Sequence, residues 1–483
     1  MKIYKIQKRI STAEDNIIPW HWGLVSDTIK LKGKTVENPG KTSCIFLVHG
    51  IGDQLQSDTA VLLRSGFEDA LKEISDWQKD ARINGTKEDK LKLNGIPDPQ
   101  DLAPPFIEEG YWANYNDIEK TFPDETSKFS EKELGFFKGL WKKRTYSTLR
   151  TYFWFLLQQL KLIFLGPQGR FLSWVMYFPL QITSFVSLTF IALKYPKILN
   201  SYLADVRLYA EPKGSVERAI VQRIDLRVKR EFLELIGLDT NFRKLKEEKL
   251  VTGKKHTFKK VIWVSHSLGT VVSYNVLSDL FHKAVDIENS PNSTQEEKDG
   301  VIAFRESLRR FVTIGSPLDK MAYLFRDTSL RLWPNIPRHK LLNGGEDWKR
   351  RLQEESKEKI KPEDREWWFN FYHVLDPVSG ALDSKYIFGD RPPVNCHCNQ
   401  CSLPGLAHIT YWTSLDFLGF ILSRSYGNIM WNKAYKPWPR WLLISLAFLM
   451  QLLQLILVAI IIYGLFHPTL VLDLLKKAKD ILP

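Results

Sequence analysis

Two patterns alternate along the chain. Short unbroken apolar runs that end in polar or glycine turns mark buried strands, and apolar residues recurring every three or four positions mark amphipathic helices. The run 44–48, CIFLV, breaks into His49, Gly50, Ile51 and Gly52, so a buried strand enters a glycine-containing loop. Helical spacing follows at 59–75, a strand at 106–116, a strand or loop at 203–210, and an amphipathic helix at 215–237. In the stretch 261–277, VIWVSHSLGTVVSYNVL, four apolar or aromatic residues meet a tight polar turn around Ser267, and apolar residues at helical spacing come after it. Two more strands are expected, in RRFVTIGSPLDK at 309–320 and in REWWFNFYHVLDPVSG at 365–380, which puts His373 inside the second. The polar segments 286–300 and 343–366 read as excursions over the surface. Strands alternating with helices imply an α/β fold, with a mainly parallel sheet and helices on both faces.

Two longer apolar stretches add a membrane to this picture. Residues 441–466 carry no charge, and Gln451 and Gln454 are their most polar members. Such a segment can cross a hydrocarbon core of roughly 30 Å. Arg440 precedes it and Lys476, Lys477 and Lys479 follow it, which anchors both ends of an expected transmembrane helix. Residues 171–193 are also uncharged, and a shorter apolar run at 152–165 is joined to them by Gly166, Pro167, Gln168 and Gly169. A basic, aromatic segment at 137–150 comes first and suits anionic headgroups. The strands at 44–48 and 261–264 belong to one sheet, so the chain between them crosses a bilayer an even number of times or not at all. Gln158, Gln159 and Lys161 are costly at a bilayer centre. An in-plane hairpin or lid at 137–195 is therefore favoured over a transmembrane hairpin. The expected organisation is an N-terminal segment 1–40, an α/β domain 41–430 interrupted by that insertion, a span at 441–466 and a basic tail 467–483.

Composition narrows the partners. The chain has 483 residues, enough to bury a large core, and a net charge of +13 that attracts anionic surfaces. No basic stripe or motif of a nucleic-acid reader accompanies that charge, so a lipid headgroup surface is the expected partner and nucleic acid is not. Four cysteines in this length make no disulfide framework, and the N-terminus lacks the apolar core of a secretory signal. The α/β domain is expected on the cytoplasmic side. In CHCNQC, Cys396, Cys398 and Cys401 include one Cys-x-x-Cys pair without a second, and reduced loop cysteines are favoured over a metal site. No cofactor is expected.

The chemistry-bearing residues fall in a suggestive order. A serine on a sharp strand-to-helix turn is the signature of a nucleophile elbow, usually Gly-x-Ser-x-Gly; here the first glycine is replaced by Ser265. Ser267 is then the nucleophile. Asp376, just past an apolar strand, is the favoured acid, with Asp319 as the rival. His408 comes late in the chain, as the general base of such a set does, and is favoured over His49, His266 and His373. The N–H groups of Leu268 and Ile51 are the expected oxyanion donors.

FLVHGIGDQ, VSHSLGTVV, TIGSPLD, FYHVLDPVSGALD and HITYWTSLDFLGFIL, scattered within 43–425, together resemble the α/β-hydrolase lipase superfamily. Within it the chain is similar to the DDHD-domain intracellular phospholipases that prefer phosphatidic acid, which carry a comparable His-x-x-Asp-Pro-Val segment; DVRLY at 205–209 also resembles a segment of that group. The resemblance implies an α/β-hydrolase fold and serine hydrolysis of lipid acyl esters by a membrane-bound enzyme. The alternative of another class is a non-catalytic membrane scaffold that keeps the fold for binding.

Overall fold

The computed structural model describes residues 28–31, 34–37, 43–50, 58–94, 105–110, 215–245, 260–319, 367–373, 378–382, 393–398 and 406–426, with scattered single positions that include Tyr209, Phe258 and Asp376. Strands β1 (Thr28–Leu31) and β2 (Lys34–Glu37) form a small antiparallel hairpin. Among the described residues the main sheet has six strands: β3 (Ser43–Val48), β4 (Phe106–Glu109), β5 (Lys260–His266), β6 (Leu308–Ile314), β7 (Trp368–Tyr372) and β8 (Val394–His397). Their order across the sheet is β4-β3-β5-β6-β7-β8, and every pairing is parallel. The helices are α1 (Asp58–Asn84), α2 (Lys87–Leu93), α3 (Ser215–Leu235), α4 (Leu268–Asn289), α5 (Gln295–Ser307) and α6 (Leu415–Tyr426).

A parallel sheet needs cover on both faces, and strands covered that way read as continuous apolar runs. Alternate residues of each run serve opposite cores. Cys44, Phe46, Val48, Val261, Trp263 and Phe311 pack with residues of α3, α4 and α5; Ile45, Leu47, Ile262, Val264, Val312 and Ile314 pack with residues of α1 and α6. The α1 stripe Ala60, Leu63, Phe67, Ala70, Leu71 and Ile74 has the three-and-four spacing that makes one buried helix face. In the first core Trp263 meets Phe46 edge-on at 4.7 Å and Phe232 at 4.7 Å, and its indole N–H donates to Ser273 Oγ at 2.8 Å. Burying a Phe of this kind contributes about 1.5–3 kcal/mol.

From β3 the chain crosses outward to β4 and then returns to place β5 on the other side of β3. The strand order therefore reverses beside β5, and open α/β sheets bind ligands at the carboxyl ends of their strands at such a point.

Several expectations are corrected. The segment 286–300 runs over the surface as expected, but it is largely helical: α4 runs to Asn289, and α5 starts at Gln295 behind a capping box in which Thr294 N–H donates to Glu297 Oε2 at 2.9 Å and Glu297 N–H to Thr294 Oγ1 at 3.3 Å. Cys396 and His397 lie on edge strand β8, not in a loop. Strand β4 ends at Glu109, seven residues short of the expected 116, and β7 ends at Tyr372, so His373 follows the strand. The expected hairpin or lid at 137–195 lies outside the described residues. So does most of the expected span at 441–466, where the described positions Leu442, Ser445, Leu449, Leu452 and Ile456 are helical. Among the described residues no helix is long and apolar enough to cross a membrane.

Candidate active site

Strand β5 ends at His266 and α4 begins at Leu268, which leaves Ser267 alone to turn the chain. Its backbone has φ 54° and ψ −129°, outside the regions that L residues prefer. A residue held so costs on the order of 1–3 kcal/mol and persists only where its surroundings over-determine it. Here they do. Ser267 N–H donates to Ile314 O at 3.1 Å, and Ser267 O accepts from Thr270 N–H at 3.0 Å and from Thr270 Oγ1 at 2.7 Å. Ser316 Oγ, 2.9 Å from Thr270 Oγ1, ties the loop after β6 to the same turn. Gly269 lets α4 reach the end of β3, since a Cβ there would stand 2.1 Å from His49 O. The Ser265 that replaces the elbow's usual first glycine is fully buried, and its hydroxyl has no hydrogen-bond partner among the described residues.

The structure brings Ser267, His408 and Asp376 into one hydrogen-bonded chain. Ser267 Oγ–H donates to His408 Nε2 at 2.9 Å, and His408 Nδ1–H donates to Asp376 Oδ2 at 2.9 Å. His408 ends a single turn of 3-10 helix, Leu406–His408, and Asp376 lies four residues past β7. The rival Asp319 follows β6, and it is Asp376 that occupies Nδ1 of the imidazole. Gly315, at φ 60°, carries the chain past the site: a Cβ there would come within 3.2 Å of His408 Cε1 and 3.1 Å of Tyr411 Cε2.

Burial by itself would push the Asp376 carboxyl up. His408 opposes this by its charge and hydrogen bond, with further hydrogen bonds from Ser379 and from the amide of Val378, and the carboxyl is held well below the usual carboxylate range. Its Oδ1 accepts from Val378 N–H at 2.8 Å and Ser379 N–H at 3.3 Å. Its Oδ2 accepts from Tyr411 O–H at 2.8 Å as well as from His408.

The other histidines have structural places. His266 lies under His408, ring centroids 4.9 Å apart, and its Nε2–H donates to His408 O at 2.9 Å. Burial, and then the nearness of His408, lower its pKa to about 3. His49, fully buried, is lowered to about 4, chiefly by burial, and its Nδ1–H donates to Gly50 O at 2.7 Å. His373 gives its backbone N–H to Tyr411 Oη at 3.0 Å.

Of the expected oxyanion donors, Leu268 is the first residue of α4, and an N–H in the first turn has no acceptor inside its own helix. It lies directly beside the Ser267 hydroxyl's backbone. Ile51 lies outside the described residues; its neighbour Gly50 is so close to the elbow that a Cβ there would sit 2.8 Å from Ser267 Cβ. Among the described residues no group of three His, Cys, Asp or Glu side chains is placed to hold a metal. Burial pushes the Cys396 thiol up to about 11 and the Cys398 thiol higher still, while Cys401 lies outside the described residues.

Tyr411, Thr270, Ser316 and the contact of His266 with His408 were not visible in the sequence. Each is a contact between segments far apart in the chain, and no local pattern marks it.

Comparisons with protein-family models, with curated proteins and with solved structures give no match. Fold and site define the protein's class on their own: a parallel α/β protein with a strained serine, a histidine and a buried carboxylate hydrogen-bonded in series at the carboxyl edge of its sheet.

Proposed function

We propose that the protein is a membrane-bound serine hydrolase of the α/β-hydrolase type that cleaves acyl ester bonds of lipids. The observation that carries this reading is the chain Ser267–His408–Asp376, with both links at 2.9 Å and the serine at positive φ. In the reaction Ser267 Oγ attacks the ester carbonyl and His408 Nε2 takes its proton. Asp376 holds the tautomer that leaves Nε2 free and stabilises the imidazolium. The C–O bond to the alcohol breaks, and His408 returns the proton to the departing alkoxide. Water then attacks the acyl-serine with His408 again as base, releasing the acid. The Leu268 N–H meets the oxygen that becomes negative in each tetrahedral intermediate, with Ile51 as the second donor; one such donor supplies about 2.7–4 kcal/mol.

The lipid part of the proposal rests on other features. The net charge is +13, the segment 137–150 is basic and aromatic, and residues 441–466 are uncharged. A serine esterase anchored at one end, its mouth held to anionic headgroups by the insertion 137–195, receives a lipid ester without passing it through water. The α/β domain then faces the cytoplasm, and similarity to the phosphatidic-acid-preferring group makes a phospholipid the first substrate class to assay.

The test is labelling by a fluorophosphonate probe together with a head-group-resolved lipid hydrolysis panel. The wild type should label and hydrolyse, and Ser267→Ala should do neither while keeping its thermal unfolding midpoint. Equal labelling of wild type and Ser267→Ala would falsify the nucleophile assignment.

A further inference from the structure

Asp376 must present one particular oxygen to His408, and the amides of its own loop hold the other. The amides of Val378 and Ser379 hold Oδ1. Oδ2 accepts from Tyr411 O–H at 2.8 Å beside the bond from His408. Tyr411 is fully buried, and its hydroxyl sits at a junction. The oxygen accepts the His373 N–H at 3.0 Å and lies 3.0 Å from Ser379 Oγ. A phenol has one proton and two lone pairs. The amide can only donate and the carboxylate can only accept, so the phenol points its proton at Asp376. His408 and Tyr411 lie three residues apart on successive 3-10 turns, so one short segment delivers both the base and the group that aims its partner.

We propose that Tyr411 is a positioning residue: its hydroxyl fixes Asp376 Oδ2 against His408 Nδ1 and sets how much negative charge that oxygen offers the imidazole. The proposal rests on the hydrolase reading above. Burial and the nearby Asp376 charge keep the phenol protonated, so it remains a donor throughout the working pH range. Two consequences separate this role from packing. Without the hydroxyl the carboxylate loses a restraint on its rotation, so turnover falls while substrate binding does not. The unshared charge on Oδ2 also rises, which stabilises the imidazolium and moves the acid limb of the pH–rate profile to higher pH, because that limb reports the free enzyme's base. The other titratable groups around this cluster are His373, whose amide reaches Tyr411, with His397 beside it, His266 and His49 at the ends of β5 and β3, Cys398 after β8, with Cys396 on it, and Asp416 on α6. None of these is altered by removing a phenol oxygen.

The test compares the full-length wild type with Tyr411→Phe, Asp376→Asn and the double variant, in one detergent, using the fluorophosphonate probe and a soluble ester. In Tyr411→Phe, kcat should fall on the order of tenfold, as expected for a hydrogen bond to a charged group, with KM within about twofold. The acid limb of kcat/KM should move up by about half a pH unit. In the Asp376→Asn background the same change should cost less than about twofold, since Tyr411 acts through the carboxylate. An unmoved acid limb in Tyr411→Phe, or an equal loss in both backgrounds, overturns the proposal and leaves Tyr411 a packing residue. If Tyr411→Phe does not fold, 3-fluorotyrosine at position 411 keeps the shape and strengthens the donor. The acid limb should then move to lower pH, and no movement overturns the proposal. A wild type that neither labels nor hydrolyses refutes the hydrolase reading itself, and this inference with it.

Discussion

At the scale of single residues, the two candidate acids differ in what surrounds them rather than in what they are. Asp376 is 1 % exposed, yet each of its oxygens accepts two hydrogen bonds, so the burial that would neutralise it is offset. Replacing it with Asn keeps the size but lets the amide donate to Nδ1, which favours the wrong imidazole tautomer. Asp376→Asn should therefore lower kcat on the order of 10⁴-fold with the fold intact, and Asp319→Asn should lower it by less than about tenfold. The reverse ranking in purified, folded variants would reassign the acid. The placement of Asp376 just past an apolar strand was legible in the sequence. Its distance from His408 was not, because 32 residues separate the two and only the sheet brings them together.

At the scale of elements, the junction of β5 and α4 departs from the usual pattern at Ser265. Its hydroxyl is sealed between sheet and helix without a hydrogen bond among the described residues, and a buried group left so costs about 1–3 kcal/mol. Ser265→Ala should thus stabilise the protein by about 1 kcal/mol, read as a rise in the thermal unfolding midpoint, with activity retained. Gly269→Ala should do the opposite and lower both midpoint and labelling, because its new methyl would have to displace the His49 carbonyl. A midpoint lowered by Ser265→Ala would mean that the hydroxyl supports the turn. The elements themselves were legible where their periodicity is strong: β3, β5, β6, β7 and α3 fall where apolar spacing puts them, and α1 starts there but runs on to Asn84, past the expected end at 75. Weakly patterned elements were missed. The four residues of β8, VNCH, alternate apolar Val394 and Cys396 with polar Asn395 and His397, but so short a run does not mark a strand by itself, and its strand character comes from pairing with β7. Helix α5 carries a Thr-x-x-Glu capping box that did announce its start, but its polar surface reads as loop.

At the scale of the whole molecule, two buried histidines link stability to pH. His266 and His49 have folded pKa values lowered to about 3 and about 4, against an unfolded value of about 6.5. Below about pH 6.5 the unfolded chain binds protons that the folded chain refuses, so stability falls as pH falls, by up to about 1.4 kcal/mol per pH unit for each histidine. Asp376 does not offset this, since a depressed carboxyl gives its full contribution above its unfolded value near 3.9 and loses it only on further acidification. The thermal unfolding midpoint should drop between pH 7 and pH 5, and a midpoint that is flat or higher at pH 5 would mean that one of these histidines is charged in the folded state.

The same scale divides what each source of information decided. Hydrophobic periodicity is a local property, so the chain alone determined that strands alternate with helices, that two long segments are uncharged, and that a serine stands on a strand-to-helix turn. It also restricted the acid and the base to a few candidates by their order along the chain. Which strand lies beside which, which carboxylate meets the imidazole, and that Tyr411 shares the carboxylate depend on contacts between residues tens to hundreds of positions apart. Such contacts leave no periodic trace, because what selects them is the joint packing of two cores on the faces of one sheet, and only the folded structure expresses that.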